Sequence, residues 1–236
     1  MLKLILLEFQ KLKRSKILYI VICTTFLFYL CAAAQGIKAS YAAQRLMDET
    51  LMYATFLMVP ALFALLGSYV ISREKIDDTA KNLAMIPINF EKLTYAKLLT
   101  AQIIGIIMFL LLFLFSVLSV LMVDMPGISA RFVLINLKSF LLQGIGCFVA
   151  VSPIIVFLPL LKNGHWLAAI VGEIYSFTGL IAASSRFWTI YPVSALSGLS
   201  GIRSTNGYEF AVCLCSLAIT AAVAFVLLKL QRKQNL

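Results

Sequence analysis

Six long apolar runs, separated by short polar segments, make up most of the chain. Each run reaches the ~20 residues that an α-helix needs to cross the hydrocarbon core of a membrane. Membrane strands are not expected, because they require a closed barrel and the sequence lacks alternating ten-residue segments. The pattern therefore predicts an all-α integral membrane protein with six transmembrane helices, at residues 17–37, 51–71, 98–123, 140–161, 166–183 and 208–228.

The composition leaves little room for a domain outside the membrane. Of the 236 residues, 62% are hydrophobic and 13% are charged, against ~25% charged residues in an average soluble domain. The mean hydropathy is +0.98. These values exclude a soluble enzyme, a disordered protein and a fibrous protein, and residues 1–236 are expected to form a single transmembrane domain.

Basic residues outnumber acidic ones by 20 to 10, and their distribution predicts the orientation of the chain. With the N-terminus in the cytoplasm, the cytoplasmic segments carry 14 Lys and Arg residues and the outer segments carry six. Cytoplasmic loops are enriched in Lys and Arg, so both termini are expected in the cytoplasm. The positive charge is assigned to membrane lipid rather than to nucleic acid, because no basic segment is long enough to fold as a nucleic-acid-binding module.

Residues 1–16 have the pattern of an amphipathic helix lying in the membrane interface. One face is apolar and the other is basic or polar; the apolar face is formed by Leu2, Ile5, Leu6, Phe9 and Leu12, and the other by Lys3, Gln10, Lys11 and Arg14. A simple cytoplasmic extension of the first span is the alternative interpretation.

The segment between the second and third runs is highly charged. Residues 72–97 hold nine of the 30 Lys, Arg, Asp and Glu residues. We expect a short helix over 73–84, an interruption at Pro87, which lacks a backbone donor, and a further helix capped by Asn89. The charges favour a docking element for a cytoplasmic partner, and a loop that is charged only to stay solvated is the alternative.

Glu173 is the only ionisable side chain well inside a predicted span. A charge at that depth costs on the order of 2.5–3.5 kcal/mol, so the carboxyl group is expected to be protonated, paired, or turned toward water or another helix. The same span has small residues on one face, which allow another helix to approach closely; they are Gly164, Ala168, Gly172, Ser176, Gly179 and Ala183. Glu173, Gly172 and Ser176 are therefore candidates for a substrate site or for a helix interface.

Two further segments carry structural signals. The fourth span contains Gly144, Gly146, Pro153 and Pro159, and a kink is expected there. The outer loop 185–207 is rich in aromatic residues and contains no acid, so we expect a short helix or a re-entrant piece at the outer interface rather than a solvated loop.

The residues for catalysis or metal binding are missing from the sequence. One histidine, His165, and five cysteines within apolar runs give no metal-ligand spacing and no catalytic constellation. The phosphate-binding pattern G-x-x-x-x-G-K-[ST] does not occur, so the chain does not bind ATP through such a loop. We expect no catalytic residue, no metal and no cofactor in this chain.

Two stretches of sequence carry a resemblance to a known family. The first is the basic entry into span 1, Glu8-Phe9-Gln10-Lys11-Leu12-Lys13-Arg14-Ser15. The second lies between spans 2 and 3 and comprises Arg73-Glu74-Lys75, Thr79, Lys81-Asn82-Leu83, Pro87, Lys92 and Ala96-Lys97-Leu98. With these stretches the chain resembles the membrane subunits of type-2 ABC exporters, particularly the permeases of lantibiotic immunity and bacitracin resistance.

The resemblance implies a non-catalytic permease in a bacterial cytoplasmic membrane, paired with cytoplasmic ABC ATPase subunits that carry ATP and Mg. Residues 73–93 would be the segment that docks on the ATPase, and its candidate coupling residues are Arg73, Glu74, Lys75, Asp78, Lys81, Asn82, Leu83 and Pro87. A second permease subunit, identical or related, would complete the transport pathway.

The expected function is export of a membrane-active peptide antibiotic or another amphipathic compound, as in antibiotic resistance or bacteriocin immunity. A secondary transporter or channel that uses Glu173 as a cation or proton site is the alternative, and a membrane enzyme or scaffold is a third possibility.

Overall fold

The computed structural model describes residues 2–13, 15–38, 43–77, 90–123, 128–161 and 164–234, and within these ranges the chain is helical without strands. The α-helices are α1 (Leu2–Lys13), α2 (Lys16–Lys38), α3 (Ala43–Leu57), α4 (Val59–Ile76), α5 (Phe90–Met122), α6 (Ala130–Phe157), α7 (Gly164–Ala183), α8 (Pro192–Leu199) and α9 (Gly207–Gln234). A short 3-10 turn, Leu158–Leu160, follows α6.

Among the described residues, four helical stretches are long and apolar enough to cross a membrane: Lys92–Met122, Ala130–Leu160, Gly164–Ala183 and Gly207–Leu230. Two bent helix pairs, α1 with α2 and α3 with α4, pass the same criterion of length and composition as pairs. The six predicted spans and the all-α fold class are confirmed when each bent pair is counted as one span.

The joint between α1 and α2 turns the chain by 76°. Ser15 lies at this joint, and its hydroxyl oxygen accepts a hydrogen bond from the Ile17 backbone N–H at 3.3 Å, which caps the start of α2. The Ser15 hydroxyl also donates to the Tyr69 hydroxyl on α4 at 3.1 Å. The large turn agrees with an N-terminal helix that lies along the membrane surface while α2 crosses the membrane.

The predicted apolar face of α1 divides between two environments. Leu12 is buried in the bundle, whereas Leu2 and Leu6 are exposed, as lipid-facing residues of an interfacial helix would be. Lys11 was expected on the polar face, but its amine turns toward Glu8, which is buried.

The second span differs from the sequence-based expectation of a helix over 51–71. Two helices, α3 and α4, replace it and meet at Met58 with a bend of 49°. Pro60 explains the break, because its nitrogen cannot donate to the Phe56 carbonyl in the preceding turn. The apolar run does not predict the first turns of α3, because they contain Gln44, Arg45, Asp48 and Glu49.

The kink expected in the fourth span stays a prediction, but the prolines there change the local hydrogen bonding. Pro153 lies inside α6, and the Val149 carbonyl, which Pro153 leaves without a helical donor, accepts from the Ser152 hydroxyl at 2.7 Å. Pro159 ends the regular helix in the 3-10 turn. The short helix expected in the outer loop 185–207 is present as α8. Before this helix, the buried Trp188 ring has its centroid 4.3 Å from the guanidinium carbon of Arg203, which follows the helix.

Aromatic side chains fill the centre of the bundle between α4, α5 and α6. The Phe63 ring lies 6.3 Å from the Phe109 ring and 5.8 Å from the Phe148 ring. A Cβ at Gly105 would lie 2.3 Å from the Phe63 ring, so glycine at this position makes room for it. The outward faces of α7 and α9 are exposed in the isolated chain and are rich in large apolar side chains.

Candidate functional site

A cluster of ion pairs joins three helices at the C-terminal end of α4. Its members are Glu8 and Lys11 of α1, Glu74 of α4 and Lys97 of α5, and we call it the three-helix cluster. The Lys97 amine donates to Glu74 Oε2, and Lys11 Nζ lies 2.7 Å from Glu8 Oε1 and 3.7 Å from Glu74 Oε1. Lys97 Nζ also donates to the Ile71 carbonyl at 3.2 Å.

The charges of the three-helix cluster balance, and most of them are removed from solvent. Glu8 is 1% exposed, Glu74 is 9% exposed and Lys97 is 5% exposed. A buried charge is tolerated when its partners are present and becomes costly when one of them is removed, by about 3–5 kcal/mol. The cluster therefore fixes the last turn of α4 to both α1 and α5.

The position of the three-helix cluster relates it to the predicted coupling segment. Glu74 lies two residues before Ile76, where α4 ends, and Asp77 follows as the C-terminal cap. Arg73 lies beside the cluster without joining it: its Nε is 3.2 Å from Asp77 Oδ2, and its guanidinium group lies 6.0 Å from the Tyr69 ring.

Only part of the predicted coupling segment is described. Lys75 lies in α4. Asp78, Lys81, Asn82, Leu83 and Pro87 fall outside the described residues, as do most of the expected 73–84 helix, its interruption and the Asn89 cap.

Sequence reasoning missed the contribution of Glu8, Lys11 and Lys97 to this site. One signal was present in α1: Glu8 is flanked at helical spacing by Leu4, Ile5 and Leu12, so it shares a face with apolar residues. A carboxylate on such a face requires a cation from another element.

A second polar region lies at the break between α3 and α4. The Ser176 hydroxyl on α7 is buried and lies within donating distance of two carbonyl oxygens, at 3.0 Å from that of Thr55 and 2.8 Å from that of Phe56. The Phe56 carbonyl is the one that Pro60 leaves without a helical donor. Gln143 Nε2 of α6 donates to the Thr55 hydroxyl at 2.6 Å. We call Thr55, Phe56, Gln143 and Ser176 the polar break.

Gly172 allows α7 to approach the polar break. A Cβ at this position would lie 2.8 Å from Ala64 Cβ, 3.0 Å from the Pro60 carbonyl oxygen and 3.2 Å from Ala61 Cα. Gly172 and Ser176 belong to the small-residue face of α7, whose residues Gly164, Ala168, Gly172, Ser176 and Gly179 are all buried. The structure thus places Gly172 and Ser176 at the interface with α3 and α4.

Glu173 lies beside this interface rather than within it. It is partly exposed and lies next to the outward face of α7, where Ile170, Ile174 and Phe177 are exposed. Among the described residues, no hydrogen bond or ion pair involves its carboxyl group. The structure does not bring Glu173 to the polar break or to the three-helix cluster.

In the part of the chain that the structure describes, no three His, Cys, Asp or Glu side chains come close enough together to hold a metal ion. The site therefore consists of ion pairs, hydroxyl–carbonyl contacts and close helix packing. Such groups can hold helices together and transmit their movement.

Comparison with known proteins places the chain in a family. A family model described as ABC-2 family transporter protein matches residues 4–179. The bacitracin transport permease protein BCRB of Bacillus licheniformis is 28% identical over 149 residues, covering 63% of this chain and 71% of that protein. The family match spans more than half of this chain, so the chain belongs to the ABC-2 family of transporter membrane proteins.

Proposed function

We propose that this ABC transporter membrane subunit exports a membrane-active peptide antibiotic or another amphipathic compound, with ATP hydrolysis supplied by a separate subunit. The three-helix cluster is the observation that carries the proposal. It lies at the base of the charged segment that follows α4, where a cytoplasmic ATPase can dock. The similarity to a protein named as a bacitracin transport permease supports a peptide as the transported compound.

The proposed mechanism transmits movement through buried charge. An ATPase bound to residues 73–93 displaces the last turn of α4. Glu74 carries this displacement to α5 through Lys97 and toward α1 through Lys11, since each contact is an ion pair that the helices share. The three helices then move together, so the transport path opens and closes as the ATPase binds and hydrolyses ATP.

We also propose that a second permease subunit, identical or related, pairs with this chain. In the isolated chain, α7 and α9 present exposed apolar faces that require either lipid or another permease. Glu173 borders the α7 face, and a partly exposed carboxyl group inside a span is more stable at an interface that contains water or polar partners than in lipid.

Transport in inside-out membrane vesicles tests the proposal. The vesicles contain the chain with its ATPase, and the probe is fluorescent bacitracin. We expect ATP-dependent accumulation of the probe and its loss in Glu74→Leu, while Glu49→Gln, which removes a charge from the exposed Arg45–Glu49 pair, keeps it. Accumulation that needs no ATP and collapses with the proton gradient would contradict the proposal and support the secondary transporter.

A further inference from the structure

A cavity of about 410 Å³ lies between α1, α2 and α5. This volume falls within the roughly 300–1,000 Å³ of small-ligand sites. Each of the three helices contributes apolar side chains to the wall: Leu6 and Phe9 from α1, Leu18 and Val21 from α2, and Ile104 and Met108 from α5. We call this cavity the elbow groove, because it lies beside the bend between α1 and α2.

The bend produces the elbow groove. Since α1 turns away from α2 by 76°, the two helices diverge while α5 passes both, and the side chains at the joint do not fill the space. Ile22 of α2 and Ile107 of α5 line the groove and are also exposed, at 46% and 45%. The groove is therefore open to the surroundings of the bundle, and its apolar wall favours a hydrocarbon guest over water.

One lysine lies on the groove side of α1. Lys13 and Gln10 line the groove together with Leu6. Lys13 is exposed and forms no ion pair with a described residue. Lys11, in contrast, does not line the groove and pairs with Glu8.

We propose that the elbow groove binds an anionic phospholipid, with an acyl chain in the apolar cavity and the phosphate group at Lys13. With the N-terminus in the cytoplasm, as the distribution of basic residues predicts, this lipid belongs to the inner leaflet, where basic interfacial segments meet anionic headgroups. The bound lipid fills the space under the bend and stabilises the angle between α1 and α2.

Charge favours a lipid over other occupants. A cationic peptide would meet Lys13 with like charge, and an apolar helix of a second copy would leave Lys13 without a counter-ion. An anionic lipid satisfies both the apolar wall and the basic edge of the groove.

Photolabelling of the full chain in lipid vesicles tests the proposal. The probes are phosphatidylglycerol and phosphatidylcholine that carry the same photoreactive acyl chain. We expect phosphatidylglycerol to label peptides of α1, α2 and α5 that line the groove. Lys13→Glu should reduce this labelling about fivefold or more, since a basic residue near the headgroup strengthens lipid binding by about that factor, and should leave phosphatidylcholine labelling unchanged. Ile22→Trp should reduce labelling by both probes.

Two control variants separate the groove from general effects. Lys229→Glu makes the same charge change at an exposed position on α9, and Leu214→Trp adds the same bulk to the exposed face of α9; both should keep the original labelling. Equal labelling of the groove by the two lipids, an unchanged yield in Lys13→Glu, or a chain-to-chain adduct at Ile22→Cys would each overturn the proposal.

Discussion

At the C-terminal end of α4 the buried polar contacts are made by full charges, whereas at the break between α3 and α4 they are made by neutral hydroxyl and amide groups. In the three-helix cluster, Glu74 is held by Lys97 and Lys11. In the polar break, Ser176 and Gln143 donate to groups of Thr55 and Phe56. The first region holds the C-terminal end of α4, and the second holds the C-terminal end of α3, just before α4 begins.

The difference follows from where each region lies along the span. A charge at the middle of a membrane costs on the order of 2.5–3.5 kcal/mol. At the polar break, neutral groups join α3 to α6 and α7, and α7 packs closely against the backbone of α4. In the three-helix cluster each buried charge has an oppositely charged partner, which offsets the cost of removing it from water. Hydrogen bonds between charged groups are also stronger than those between neutral groups. The cluster is therefore suited to transmitting force, and the polar break to defining the shape of the span.

Cysteine labelling gives the largest, all-or-none test of this comparison, because the comparison requires the three-helix cluster to face the cytoplasm. In a cysteine-free background, Asn206→Cys should react with an impermeant maleimide on intact cells, since the residue is exposed at the predicted outer end. Asp77→Cys, which is also exposed, should react only after the membrane is opened. Labelling of Asp77→Cys on intact cells would reverse the orientation.

Removal of one charge from the three-helix cluster should cause the largest loss of stability. Glu74→Leu leaves Lys97 buried without its carboxylate and should lower the free energy of unfolding in detergent by about 3–5 kcal/mol. Lys97→Leu should do the same, and the double variant should recover part of the loss, because no charge of the pair remains unpaired.

A double-mutant cycle with a surface control measures this effect. The exposed Arg45–Glu49 pair should lose less than ~1 kcal/mol in Glu49→Gln. Strictly additive losses in the Glu74 and Lys97 variants would show that their ion pair does not hold α4 to α5.

The spans themselves could be predicted from the sequence, because each needs only a run of apolar residues of membrane length. The small-residue face of α7 could also be predicted, since the spacing of Gly172 and Ser176 shows on which side a neighbour packs. The periodicity does not identify that neighbour. Ser176 meets Phe56 only because Pro60 breaks the second span, and the apolar run 51–71 concealed this break.

The three-helix cluster was harder to predict for a different reason. Glu74 and Lys97 are 23 residues apart, and Glu8 lies in another helix, so their pairing depends on how α1, α4 and α5 come together. The charged residues after α4 correctly indicated that the site lies at the C-terminal end of this helix. It could not distinguish Glu74, which turns inward to Lys97, from Arg73, which pairs locally with Asp77.

Gly172→Leu should be the next largest disturbance and tests whether packing defines the polar break. The new side chain meets the Pro60 carbonyl oxygen and Ala61 Cα, which are backbone atoms and cannot rotate away. We expect a loss of about 1–3 kcal/mol and weaker packing of α7 on α4. Gly207→Leu is the control, because a Cβ there has no neighbour within 4 Å, and an equal loss in both variants would contradict the packing argument.

Ser176→Ala should have a smaller effect, since it removes a hydrogen bond without adding bulk. Hydroxyl contacts between helices in membranes contribute about 0.6 kcal/mol on average. Ser204→Ala, at an exposed position, should leave the unfolding free energy unchanged. If the loss in Ser176→Ala reached that of Glu74→Leu, neutral and charged contacts would be equally important and the contrast between the two regions would fail.

Glu173 should give the smallest effect on stability and belongs to neither region. Because no described residue pairs with its carboxyl group, Glu173→Gln and Glu173→Leu should both keep the unfolding free energy of the solubilised single chain within about 0.5 kcal/mol of the wild-type value.

Transport assays then separate the possible roles of Glu173. If the ionisable group recognises a cationic compound, both variants lose ATP-dependent accumulation in vesicles while the ATPase still co-purifies. If the carboxyl group only hydrogen-bonds at a subunit interface, Glu173→Gln keeps transport and Glu173→Leu loses it together with permease pairing, measured by cross-linking of Ile174→Cys. Full transport and pairing in Glu173→Leu would exclude both roles and leave Glu173 as a side chain that the bundle tolerates at its lipid-facing edge.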